Sequence, residues 1–206
     1  MTESRVRRGR PPGTSARALE VIALRLFSTQ GYDQTTVEQI AAEAGVSRRT
    51  YFRYYDSKTS VLWGAFDHEV DVIADLLRES PAELPIMDAV RQAVVAADHY
   101  KAEDVPELRM RMRLIAAVPE IAASAAVHYN AWERAVIEFV AVRTGQSHVD
   151  LFPLAVGRAT LAVSRVAYEY WADSADADLT VYLDAALRAL AAGFDERFLV
   201  TPPIIW

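Results

Sequence analysis

Apolar residues recur at helical spacing along nearly the whole chain, and glycine, proline or a short polar run interrupts each repeat. From Thr14 to about Gln30, Ala18, Val21, Ile22, Leu26 and Phe27 make one broad apolar face, with Thr14 as the expected cap and Gly31 as the stop. A shorter repeat follows in Val37, Ile40, Ala41 and Ala44. Thr36 and Gln39 are spaced for a capping box at its start, and Thr35 and Glu38 offer the same spacing one residue earlier. Gly45 ends it, because a residue without a β-carbon turns the chain sharply at little cost. Ser47 is then an N-cap for a third helix, which sends Phe52 and Tyr55 toward the core of Ile40 and leaves Arg48, Arg49, Thr50 and Arg53 outward. The expected core of this three-helix unit is Ile22, Phe27, Ile40, Val46, Phe52 and Tyr55.

The pattern continues as helix to about Phe198, and the tail TPPIIW is expected to form an irregular strap. Ser57 is expected to cap a long helix to about Glu79, with Val61, Leu62, Ala65, Phe66, Val70, Ile73, Leu76 and Leu77 buried. Such a helix would belong to both halves of the protein and couple them. Pro81 and Pro85 break the chain before a helix over about 86–100, with Val90, Ala93, Val94 and Ala97 apolar. In 107–118, Leu108, Met110, Met112 and Leu114 alternate with Arg109, Arg111 and Arg113, a strand period. Helix is predicted there nonetheless, since Leu, Met and Arg are good helix formers and a lone strand would have no partner. Pro119 opens a helix closed by Gly145, and two more follow over about 149–172 and 180–198. The last two carry apolar residues on more than one face. Pairing them with a second copy gives a four-helix dimer seam; burial within one subunit is the alternative.

Charge divides the chain. The net charge is −6, yet residues 1–60 hold ten Lys/Arg against six Asp/Glu, while residues 61–206 hold twelve against twenty-two. A basic end releases counterions from a duplex, and an acidic remainder is repelled by phosphate. There is no cysteine, and the four histidines show no ligand spacing, so no metal site is predicted. No glycine-rich phosphate loop or nucleophile elbow is present; Asp67, His68 and Glu69 diverge on a helix and cannot converge on one substrate. No catalytic residue, enzyme activity or cofactor is therefore expected. No apolar run approaches the ~20 residues that span a bilayer, and a cytoplasmic location is the expectation.

Two arginines and a threonine at the start of an exposed helix suit a major groove, where arginine pairs bidentately with guanine and threonine meets a thymine methyl. Tyr54 and Lys58 sit at the rim as phosphate contacts, making the segment a helix-turn-helix reader. The bland alternative is a solvated αα-corner. Ahead of it, residues 1–13 are too polar and proline-rich to fold alone. Arg8, Gly9, Arg10 and Pro11 resemble an AT-hook entering a minor groove; a merely solvated basic tail is the other reading.

The run TTVEQIAAEAG followed by GVSRRTYFRYYDSK resembles the TetR-type regulators. The resemblance implies an all-α fold: a basic arm over 1–13, a helix-turn-helix domain over 14–56, and a helical effector-binding and dimerisation domain over 57–206. It implies groove contact from Arg48, Arg49 and Thr50 and phosphate contact from Thr36, Tyr54 and Lys58. Ser47, Tyr51, Arg53, Arg8 and Arg10 complete the candidate DNA-binding set. The implied partners are a palindromic DNA operator, a second copy joined through the last two helices, and a small effector that releases or modulates a repressor; an effector-independent architectural DNA binder is the alternative.

The effector pocket implied by the resemblance is enclosed by helices from 86 to 172. Met110, His128, Trp132, Phe139, Tyr168 and Trp171 are its candidate lining, although core packing explains the aromatic residues equally well. Arg109 and Arg113, four apart on one face, suit an anionic head group, or form an ordinary solvated face. FRYYDSK, WGAF and MRMR before a Pro-Glu helix are similar to regulators of mycofactocin gene clusters, which implies a long-chain acyl-CoA effector with its phosphates facing those arginines.

Overall fold

The protein is described from a computed structural model, over residues 15–100, 104–174 and 177–194. Every regular element among them is helical. The chain divides into two compact units between Leu62 and Trp63.

In the first unit, α1 (Ala16–Gln30) is capped by Ser15, whose hydroxyl accepts from the Ala18 amide. The expected cap, Thr14, lies outside the described residues. The buried stripe of α1 is Leu19, Ala23, Leu24, Leu26 and Phe27, so the core face is rotated away from the expected Ala18, Val21 and Ile22. The hydrophobic period was right, but too many positions were apolar to choose the face. Helix α2 (Val37–Glu43) opens with the anticipated capping box: Gln39 N–H donates to Thr36 Oγ1 and Thr36 N–H to Gln39 Oε1. Gly45 takes φ 69°, a conformation a side chain would strain. Helix α3 (Arg48–Tyr51) is capped by Ser47 and continues as turns through Tyr54.

The helix expected to run from Ser57 to Glu79 is not continuous. Ser57 Oγ accepts the Ser60 amide while Ser60 Oγ donates to Ser57 O, which closes a tight turn followed by a single 3₁₀ turn over Ser60–Leu62. Val61 and Leu62 are fully buried, with that turn packed on α1. The second unit then starts α4 afresh at Gly64 (Gly64–Glu79).

It continues with α5 (Ile86–Ala97), α6 (Val105–Ala117), α7 (Pro119–Thr144), α8 (Leu151–Ser174) and α9 (Leu179–Ala191). The alternating 107–118 segment is helical, with Pro106 in its first turn. Gly145 closes α7 in the left-handed conformation. The core gathers Ile73, Leu77, Val90, Val94, Trp132, Val136, Trp171, Leu183 and Leu187. Arg143 fastens the α4–α5 connection to α7 by donating to the carbonyl oxygens of Pro81, Ala82 and Leu84. Helices α7 and α8 approach closely at Gly157, where a β-carbon would stand 2.5 Å from Ile137 Cγ1 and 3.1 Å from Glu133 O. Cγ1 lies next to a branched β-carbon and cannot swing clear. Gly157→Val is expected to lower stability by about 1–3 kcal/mol, read as a drop in the urea midpoint without a change in slope. An unchanged midpoint would mean the helices are not this close.

Candidate functional site

Two sites emerge, one in each unit. The first is the exposed tip of the N-terminal unit. Ser47 Oγ accepts the Thr50 amide and lies 3.0 Å from Thr50 Oγ1, so the start of α3 is held by its own side chains. Arg48 reaches back to Glu38 at 3.0 Å and lies over the Phe52 ring, 5.2 Å from its centroid. Both ion-pair partners are well exposed, and an exposed pair contributes little to stability. Its consequence is orientation. Arg49 is exposed and has no ion-pair partner among the described residues. Arg53 lies over Tyr54, both exposed, and Thr36 is exposed with its oxygen spent on the cap, leaving its own proton free to donate outward.

Three assignments at this tip need correction. Tyr51, expected at the groove, is fully buried and donates its hydroxyl proton to Ser57 O, whereas Phe52, expected in the core, is 39% exposed. One residue on a helix is a turn of about 100°, so a difference of one residue in the phase of a short helix exchanges such neighbours. Burial holds the Tyr51 phenol protonated, raised well above its ordinary range by desolvation and then by Tyr55. Lys58, expected at a phosphate, donates to Tyr32 O at 2.9 Å and sits 3.7 Å from the Tyr32 ring centroid. It ties the turn to the end of α1. Arg8 and Arg10 lie outside the described residues.

The second site is a cavity of about 280 Å³ in the C-terminal unit. Its apolar wall is built by Trp63, Phe66, Val94, Leu108, Met112, Ile115, Tyr129, Trp132 and Leu161. Trp63 anchors one side: its indole N–H donates to Ser124 Oγ, its edge meets Phe66 and Tyr129, and His128 stacks on its face at 4.5 Å. A polar cluster forms part of the same wall. Glu69, Asp98, Arg111 and Ser164 are buried there beside Tyr100 and Tyr168. Tyr100 donates to Glu69 Oε2, and the Tyr168 hydroxyl is in hydrogen-bond contact with both Glu69 Oε1, at 3.1 Å, and Asp98 Oδ1. Desolvation raises the Glu69 and Asp98 carboxyls above the usual carboxylate range. For Asp98 the Glu69 charge adds to the rise; for Glu69 the tyrosines and Arg111 oppose it.

Of the eight candidate pocket residues, only Trp132 and Tyr168 line this cavity. Along α6 the inward stripe is Leu108, Arg111, Met112 and Ile115; Arg113 is exposed and Met110 is not part of the lining. Arg109 stands over the Trp171 ring, 4.8 Å from its centroid, and faces a separate cavity of about 50 Å³. The strand-like alternation had drawn attention to the odd-numbered arginines, but a helix presents i, i+3, i+4 and i+7. His128 lies behind Trp63, with Nδ1 2.6 Å from Asp67, and Phe139 packs under Arg143. Glu69 was overlooked, yet it interrupts the apolar stripe of Phe66, Val70 and Ile73, a signal that a core polar group needs partners. Asp67 and Glu69 do point apart, one to His128 and one to the cavity.

Comparison with known proteins follows the same division. Residues 22–62 match the family description "Bacterial regulatory proteins, tetR family", and residues 84–195 match the "MftR C-terminal domain". A Mycobacterium tuberculosis protein, MftR, whose name proposes it as a transcriptional regulator of mycofactocin biosynthesis, is 35% identical over 94% of this chain and 96% of its own length. The HTH-type transcriptional regulator TcmR of Streptomyces glaucescens is 32% identical over 82% of this chain and 79% of its own. Among solved structures, the fatty acid degradation regulator FadR of Bacillus halodurans has a TM-score of 0.63 at 18% identity, covering 89% of this chain and 98% of its own. FadR of Thermus thermophilus, in complex with lauroyl-CoA, has a TM-score of 0.58 at 21% identity, covering 88% and 95%. Among the described residues no helix is long and apolar enough to cross a membrane.

Proposed function

Because the chain belongs to the TetR family of bacterial regulatory proteins, a family of DNA-binding transcriptional regulators and not of enzymes, we propose that it is a dimeric repressor whose hold on a palindromic operator is released by a small apolar effector. The observation that carries this reading is the pairing, in one chain, of an outward arginine tip with a separate cavity walled largely by apolar side chains. Arg48, Arg49 and Thr50 read base edges. Thr36, Ser47, Arg53 and Tyr54 face the phosphates, and Arg8 and Arg10 add attraction from the arm. The second copy docks on α8 and α9, whose exposed Val166, Tyr170 and Val181 favour a covered face.

For the effector, the lauroyl-CoA held by the Thermus FadR and the likeness to MftR favour a long-chain acyl-CoA, its acyl chain against Trp63, Phe66, Met112 and Trp132. Its nucleotide end would lie outside the cavity, toward exposed Arg113. Release follows if the effector prefers the conformation of the dimer that spaces the readers wrongly for two half-sites. The test is a titration of the purified full chain, bound to DNA from upstream of its own gene, with acyl-CoA esters of increasing chain length. Release with a preference for long chains is the expected result. Binding of the duplex that no acyl-CoA affects would overturn the effector assignment, and indifference to duplex at low salt would overturn the reader.

A further inference from the structure

The apolar wall accounts for an acyl chain but leaves the buried polar cluster without a purpose. Its hydrogen bonds require a proton. The Tyr168 hydroxyl has one hydrogen, yet it contacts both Glu69 Oε1 and Asp98 Oδ1. Its hydrogen serves one carboxylate, so the other contact needs a carboxyl O–H. Glu69 also accepts from Tyr100 and faces the Arg111 charge, which assigns the carboxylate to Glu69 and the proton to Asp98. Glu69 and Arg111 then cancel, and Asp98 is neutral only while it keeps that proton.

A second, independent feature lies in the same wall. Ser164 is 3% exposed and lines the cavity, and its Oγ has no hydrogen-bond partner among the described residues; Asp98 Oδ2 is in the same position. A buried hydroxyl left without a partner is costly, and both atoms keep an acceptor lone pair without a donor among the described residues.

We propose that the cavity also takes a second class of ligand, an apolar chain or ring bearing a primary or secondary ammonium group, which enters as a cation and exchanges for the proton of Asp98. The exchange balances: R–NH₃⁺ and the Asp98 carboxyl give an ammonium–carboxylate pair, and one H⁺ leaves to solvent. An ammonium supplies up to three donors, enough for Asp98 Oδ2 and Ser164 Oγ, and the Tyr129 and Trp132 rings line the same cavity. A free carboxylate meets the opposite situation, because among the described residues the buried positive charge on this wall, Arg111, already answers Glu69. The inference rests on the cavity being a ligand site, but not on acyl-CoA being its ligand.

The pH dependence has a defined sign. The other groups facing the pair are Glu69 from α4, Tyr100 beyond α5, Arg111 from α6 and Tyr168 from α8. Tyr129 lies on α7, the Arg165–Glu169 pair stands nearby on α8, and Arg109 and Asp178 face Asp98 across the smaller cavity. The tyrosines near the pair are held neutral by burial. With Glu69 already ionised, Asp98 is the next carboxyl of the pair to change charge as pH rises. Its folded value is raised, so its contribution to stability is full below the ordinary carboxylate range and is lost as pH rises through the folded value. A cation that needs the ionised form binds more tightly over that same rise.

Calorimetry of the full chain with decylamine, decanol, decanoate and lauroyl-CoA tests this. The amine keeps its charge below about pH 9, so a change in its affinity between pH 5 and 8 reports the protein. Expected are an affinity for decylamine roughly tenfold or more above that for decanol, rising by up to about tenfold per pH unit. One proton should be released per amine, read by comparing buffers of different ionisation heat. Asp98→Asn should lose both the preference for decylamine over decanol and the proton release. If that variant does not fold, proton release in the unaltered protein decides alone. Lauroyl-CoA binding with no preference for the amine overturns this proposal and leaves the effector reading intact; binding of none of the four overturns both.

Discussion

Tyr51→Ala is expected to unfold the N-terminal unit. The side chain is fully buried, its ring packs within 6 Å of the Phe52 and Tyr55 rings, and its hydroxyl donates to Ser57 O at 3.0 Å. Truncating a buried aromatic costs about 3–5 kcal/mol, a large part of the 5–15 kcal/mol that holds an ordinary domain together. Here it also releases the turn that leads into the 3₁₀ segment, where Val61 and Leu62 complete the core. Tyr51→Phe keeps the ring and loses one hydrogen bond, about 0.5–1.5 kcal/mol, and should still bind duplex. The pair separates packing from contact. Circular dichroism and urea unfolding should show the alanine variant destabilised at least as strongly as it is impaired in DNA binding. A variant that unfolds like the unaltered protein yet fails to bind would return Tyr51 to the groove.

The second large effect belongs to Arg48 and Arg49. Each bidentate base contact is worth about 1–3 kcal/mol, so the double alanine variant should lose about 2–6 kcal/mol of operator affinity, roughly 30-fold to 10⁴-fold, with little change in stability. The fold should survive because both side chains are exposed and the Glu38 pair contributes little. Single variants should differ. Arg48 is already oriented by Glu38 and Phe52, so its loss should relax preference at one base position, whereas Arg49 must be ordered on binding and should contribute less. Competition among operators altered one base pair at a time measures this. Lys58→Ala should lower stability, since the ammonium holds the Tyr32 carbonyl and ring. Unaltered affinity in the double variant would remove α3 from the groove.

The features legible from residues alone are those decided within a few positions of one another. The Thr36–Gln39 box, the Ser47 cap, the Gly45 and Gly145 stops and the proline that opens α7 are local chemistry. They yielded helix number, order and most boundaries, and the motif around them yielded the family. The alternating arginine segment was also resolved correctly, by helix propensity and by the absence of a partner strand. Ser57 was misread because a serine cap is equally good for a helix or for a tight turn. What settled it was the burial of Val61 and Leu62.

The sequence by itself therefore determined that this chain is helical, that its basic end carries a reader, and where the glycines and caps divide it. Only the tertiary structure decided which face of each helix turns inward: Tyr51 and not Phe52, Arg111 and not Arg109 or Arg113. The reason is geometric. A cap joins atoms three residues apart, whereas the contact of Glu69 with Tyr168 joins residues ninety-nine apart, and one residue of helical phase, about 100°, separates a cavity wall from solvent.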